Sequence, residues 1–190
     1  MSASTAGWVV IVGDPFDELE LGLVTDSDFA GDRSDMKNTS GVSPAHYGLR
    51  AFFPLSAVSK KQPCVSHSSV EAELVACNAG LRQEGLPSLD LWESLLGRSV
   101  KLRLFQDNQA TARIIATGKA PTLRHSKRTH QVCIARLHDA IIGDSVRIAD
   151  CDTGCMAAGI FAKRSVSPDK WLRACRLIGV TPRQLWRRFG

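Results

Sequence analysis

Leu21-Gly22-Leu23-Val24-Thr25-Asp26-Ser27-Asp28 is an apolar run that stops on acids. A second run does the same: Val100-Lys101-Leu102-Arg103-Leu104-Phe105-Gln106 places Val and Leu on one side, Lys and Arg on the other, and ends on Asp107. Such runs, bounded by turn residues, read as β-strands, so each strand is expected to carry an aspartate at its C-terminal end. Between them lies Ser68-Ser69-Val70-Glu71-Ala72-Glu73-Leu74. Ser68 followed three residues later by Glu71 is a capping-box signature, and Val70, Leu74, Cys77 and Leu81 continue behind it at helical spacing. Glu73 then falls in the first turns of a helix. Two strand-end acids and one helix acid can converge at one edge of an α/β sheet. Carboxylates brought together repel unless cations sit between them, and hard oxygen ligands suit Mg²⁺ or Mn²⁺. Asp26, Glu73 and Asp107 are therefore the candidate catalytic and metal-holding residues.

Outward from these runs, residues 1–18 read as a lead-in with a short apolar segment. Strands are expected over 19–25, 39–47 and 50–58, an antiparallel meander ended by the break Ser59-Lys60-Lys61-Gln62-Pro63. The helix after Ser68 is interrupted at Gly85 and Pro87, and a second covers 88–96. A strand over 100–106 leads through the cap Asp107-Asn108 to a helix over 109–117. A long helix over 127–142, a strand over 145–149, a helix near 154–162 and a last helix from Pro168 to about 178 complete the series. The order gives one α/β domain over 19–180, a mixed sheet with helices on its faces, followed by a basic tail over 181–190.

Bulk properties narrow the classes. Of 190 residues, 44% are hydrophobic and 23% charged, which excludes a disordered chain, and a formal charge of +5 with pI near 9.0 favours a polyanionic partner. The segment Trp8-Val9-Val10-Ile11-Val12 is too short for a signal core or membrane span, so an intracellular, unsecreted protein with no membrane partner is expected. The six cysteines show no paired framework, and Cys151 and Cys155 lack a second pair at zinc-finger spacing. Cys77 and Cys133 read as buried small hydrophobes on helices, and Trp92, Trp171 and Trp186 as core.

Five blocks of the chain, in order, carry a family likeness. They are Thr25-Asp26-Ser27-Asp28-Phe29-Ala30-Gly31-Asp32 with Asn38-Thr39-Ser40-Gly41; Ser59-Lys60-Lys61-Gln62-Pro63 with Ser68 to Leu74; Phe105-Gln106-Asp107-Asn108-Gln109-Ala110; His125-Ser126-Lys127 through His130; and Ile160-Phe161-Ala162-Lys163. Together they resemble the ribonuclease H domain of copia-type retrotransposons. The resemblance implies an RNase H-like fold, a five-stranded mixed sheet whose first three strands are antiparallel, flanked by helices. It also implies a reverse transcriptase upstream in a parent polyprotein, and an RNA/DNA hybrid as the bound partner. Two divalent ions are expected, with Asp26 bridging them, Glu73 on the leaving-group side and Asp107 holding the water-side ion or orienting its shell.

The chain departs from that family at one telling place. The fourth carboxylate of the family falls on Gly159, which has no side chain to coordinate with, so weakened cleavage is expected. Asp150 and Asp152 are the nearby acids that could substitute. Asn108, Gln109, Arg124, His125, Lys127, Arg128 and His130 are candidates for contact with the hybrid, the basic ones through phosphates and Asn108, Gln109 and Ser69 through 2′-hydroxyls. The alternative to a hybrid-cutting nuclease is a catalytically silent hybrid-binding or scaffold domain attached to the polymerase.

Overall fold

The computed structural model describes residues 6–8, 10, 12–29, 35–123, 129, 130, 132–163 and 167–182. In chain order the elements are β1 (Ala6–Trp8), β2 (Glu20–Ser27), β3 (Thr39–Tyr47), β4 (Phe52–Pro54), β5 (Val58–Lys61), α1 (Ser69–Gly80), α2 (Leu86–Leu96), β6 (Leu102–Gln106), α3 (Gln109–Thr117), α4 (Ile134–Ile142), β7 (Val146–Asp150), α5 (Gly159–Ala162), α6 (Pro168–Leu177) and β8 (Val180–Pro182). The main sheet runs β4-β3-β2-β6-β7, with β5 also paired to β3. β2 and β3 are antiparallel from Glu20↔Tyr47 to Ser27↔Ser40, whereas β2, β6 and β7 are mutually parallel. This is the RNase H-like layout expected from the sequence.

Burial explains why the central strands sit where they do. Leu21, Leu23 and Thr25 alternate along β2 and are all fully buried, as are Leu102 and Leu104 of β6. They share a core with Leu74, Leu81, Ile115, Leu137 and Val146 from the helices and β7. Burying a leucine side chain stabilises the fold by roughly 1.5–3 kcal/mol, so this layer fixes the register of the two strands that end on Asp26 and Asp107. On the opposite face Asp26 lies beside Gly41 of β3, whose lack of a side chain leaves room there for α5.

Several expectations need correction. The third strand is two: β4 pairs with β3 at Ala45–Tyr47, and β5 pairs at Thr39–Val42. Nine-residue β3 outlasts its short partner: the Leu55 N–H still bonds Pro44 O, but Pro44 has no N–H to return, and the chain comes back to cover the remaining edge. The Ser59-Lys60-Lys61 stretch is thus strand, not a break. The helix after Ser68 is not interrupted at Gly85 and Pro87 either; it passes through a π-helical turn, Leu81–Gly85, into α2. There the Leu86 N–H reaches back to Leu81 O, and the wider turn admits Pro87 without a kinked break. A Cβ on Gly85 would stand 2.9 Å from Leu23 Cδ2 and 3.0 Å from Leu102 Cδ2, so glycine permits the close approach of helix to sheet.

The helix expected from 127 is described as α4 only from Ile134, with Cys133 half-buried at its N-cap rather than inside a helix. Trp171 is 48% exposed and not core, whereas Trp92 packs edge-on against His46, ring centroids 4.1 Å apart; Trp186 lies outside the described residues. Within the lead-in, β1 pairs antiparallel with β8. All six cysteines are free. Among the described residues no helix is long and apolar enough to cross a membrane.

Candidate metal centre

The two parallel strands bring their terminal acids together. Pairing of β2 with β6 ends at Val24↔Phe105, and two residues further on the same register sets Asp26 beside Asp107. Glu73 arrives from α1, whose start is fixed by the Ser68 side chain accepting the Glu71 N–H at 3.1 Å. Its carboxylate accepts the Ser27 N–H at 3.2 Å and the Gln106 side-chain amide at 3.4 Å, so it is tied to the ends of both strands. One carboxylate oxygen from each of Asp26, Glu73 and Asp107 lies within 4.8 Å of the others. Asp26 is 2% exposed and Glu73 6%. The C-terminal edge of parallel strands is where open α/β sheets place their ligands.

Such crowding has an electrostatic cost. Burial, with the neighbouring Asp26 charge added, pushes Glu73 up to about 8. Burial also raises Asp26 above its ordinary value, outweighing the opposing pull of Lys163. Carboxyls in this state hold a proton or accept a cation in its place. Hard oxygen donors from three acids within shared reach, two of them buried, fit a divalent cation such as Mg²⁺ or Mn²⁺.

Sequence reasoning gave Lys163 no role, yet its Nζ lies 2.8 Å from Asp26 Oδ2, a close ion pair. Burial pulls the Lys163 ammonium down, but Asp26, Asp107 and Glu73 together raise it above the ordinary lysine value. The lysine comes from the residue that ends α5, which lies directly on β3. Gly41, the partner of Asp26 across the strands, makes that approach possible: a Cβ there would collide with the Ala158 carbonyl oxygen and the Ala162 nitrogen. The Ser59 hydroxyl donates to Phe161 O at 2.6 Å and ties α5 to β5. Gly159 faces the cluster, since a Cβ on it would lie 3.0 Å from Asp26 Oδ2 and 3.8 Å from Lys163 Nζ. The one signal available beforehand was the spacing of Gly159 and Lys163, one helical turn apart.

The remaining candidates are distributed differently. Asn108 spends its side-chain oxygen on the Thr111 N–H at 3.1 Å, capping α3, while Gln109 and Ser69 are exposed at helix starts. His130 is buried, its Nε2 3.7 Å from Glu71 Oε1, so it faces the interior rather than a phosphate surface. Glu71 in turn accepts the His67 N–H at 2.8 Å. Asp152 caps a short turn by accepting the Gly154 N–H at 2.7 Å, and Asp150 is exposed at the end of β7; among the described residues neither joins the acidic group. Arg124, His125, Lys127 and Arg128 lie outside the described residues.

Strand order, strand direction and the strand-end acids define an RNase H-like domain with a carboxylate cluster at its sheet edge. The sequence matches no family model, and no curated protein matches it. Among solved structures the chain is similar to RNase H1 from Halobacterium salinarum, at 12% identity over 73% of this chain and 90% of that one, with a TM-score of 0.48. It is similar also to LC11-RNase H1 isolated from compost, at 15% identity over 83% and 91%, with a TM-score of 0.42. The prototype foamy virus protease–reverse transcriptase is a third, at 14% identity over 88% of this chain and 21% of that one, with a TM-score of 0.41.

Proposed function

We propose that this chain is the ribonuclease H domain of a copia-type retrotransposon polyprotein, an intracellular nuclease that cuts the RNA strand of RNA/DNA hybrids slowly. The observation that carries this reading is the meeting of Asp26, Glu73 and Asp107 within 4.8 Å at the end of β2 and β6. These residues would hold Mg²⁺ or Mn²⁺, which when bound supplies charge neutralisation and an activated water. The protein's own part is positional. Ser27 N–H and the Gln106 amide orient the Glu73 carboxylate, and burial keeps bulk water from Asp26. Gly159 withholds a further oxygen donor, which lowers turnover without disturbing the core.

The hybrid would lie across the sheet edge. Exposed Gln109 stands close in sequence to Asp107 and is suited to a 2′-hydroxyl. Arg124, His125, Lys127 and Arg128 would contact phosphates. A groove of about 450 Å³ between β5 and α1 presents exposed Lys60 and Arg82 as further phosphate partners. An upstream reverse transcriptase would deliver the hybrid as it is made.

The test is cleavage of labelled RNA/DNA hybrid, single-stranded RNA and DNA duplex in Mg²⁺ or Mn²⁺. Slow cutting of the hybrid alone is expected, with loss of roughly 100-fold or more in Asp26→Asn. Gly159 itself favours a second reading, a silent hybrid-binding domain; protein that binds hybrid and never cuts it under either metal would establish that reading instead. Gly159→Asp is expected to raise cutting, and an unchanged rate would count against the assigned role of that position.

A further inference from the structure

At the flank of the cluster where another acid would bring negative charge, this chain brings positive charge. Lys163 Nζ is 2.8 Å from Asp26 Oδ2, with the lysine side chain 40% exposed and that of Asp26 2%. A Cβ on Gly159 would reach both, at 3.0 Å from Asp26 Oδ2 and 3.8 Å from Lys163 Nζ. The backbone that carries the lysine is held by the Gly41 contact and by the Ser59 hydroxyl, so the ammonium is delivered by fixed structure.

We propose that Lys163 is a tethered counter-ion that competes with the divalent metal for Asp26, so that metal binding is a displacement in which the ammonium swings out to water. The proposal rests on the reading of the three acids as a metal centre. Two cations cannot share Asp26 cheaply, because like charges a few ångströms apart at a site of intermediate dielectric repel strongly. The half-exposed lysine has a short route to solvent and a flexible four-carbon stem. One ammonium balances only part of the charge of three acids, so a doubly charged ion prevails once its concentration is high enough. Lys163 therefore stabilises the metal-free domain and sets a threshold of free metal for its use.

The experiment is a Mn²⁺ titration of chelator-treated protein, free Mn²⁺ being followed by electron paramagnetic resonance, with thermal unfolding measured with and without Mn²⁺. Wild type, Lys163→Met, Lys163→Gln, Lys163→Arg and Asp26→Asn are compared after circular dichroism has established folding. Lys163→Met and Lys163→Gln are expected to bind Mn²⁺ at least about tenfold more tightly, to melt earlier without metal and to gain more from adding it. Lys163→Arg keeps the charge and should stay near wild type. Unchanged or weaker Mn²⁺ affinity in both neutral variants, with binding still lost in Asp26→Asn, would overturn the displacement proposal alone. Absence of Mn²⁺ binding in every protein would overturn it together with the metal-centre reading.

Discussion

Glu73 is held by two strand ends yet carries a carboxyl that its surroundings push up to about 8. Between the ordinary carboxyl value of 4.5 and about 8, the folded chain keeps a proton that the unfolded chain has released. Stability of the metal-free protein should therefore fall as pH rises through that window and level off above it. Metal takes the place of the proton, so Mn²⁺ binding should strengthen up to about pH 8, with proton release. Glu73→Gln should flatten the fall and raise the melting temperature at pH 8 in chelator by several degrees, on the order of 1 kcal/mol; thermal scans across pH check both. The three acids were legible because each ends or begins a local pattern. Lys163 was not, since its meaning depends on α5 lying against β3. His130 read as a phosphate contact because its partner Glu71 is remote in sequence.

α5 is four residues long and owes its place to the surface it lies on. Gly41→Ala would force it off β3, because the new methyl meets the backbone of Ala158 and Ala162. A cost of about 1–3 kcal/mol is expected, together with loss of the Lys163–Asp26 ion pair; chemical denaturation measures the first and Mn²⁺ titration the second. α3 is governed by local signals: Asn108 caps its start and Gly118, at φ +67°, closes it, so residues 109–117 could be read directly. Asn108→Ala should cost about 1 kcal/mol in the same denaturation assay. The π-helical turn at Leu81–Gly85 was not readable, because Gly85 and Pro87 carry the usual marks of a break and only packing against Leu23 and Leu102 explains their use inside a continuous helix.

Across the whole molecule, the excess of positive charge would make the proposed binding of a hybrid salt-dependent. Lys60→Ala with Arg82→Ala should weaken hybrid binding several-fold and lower the salt slope by roughly 2 if both meet phosphates; binding isotherms at graded ionic strength would read this. The order of strands and helices was legible because hydrophobic periodicity is local, and the mixed sheet follows from that order. The β1–β8 ribbon and the second partner of β3 were not, because they join segments whose own patterns are short and weak. What the fold achieves is the delivery of Asp26, Glu73 and Asp107 to one sheet edge, and a crystal soaked in Mn²⁺ tests this most directly. Anomalous density among those three carboxylates, with Lys163 turned away and the signal lost in Asp26→Asn, is the predicted result. Density elsewhere, or none with the three side chains pointing apart, would contradict it.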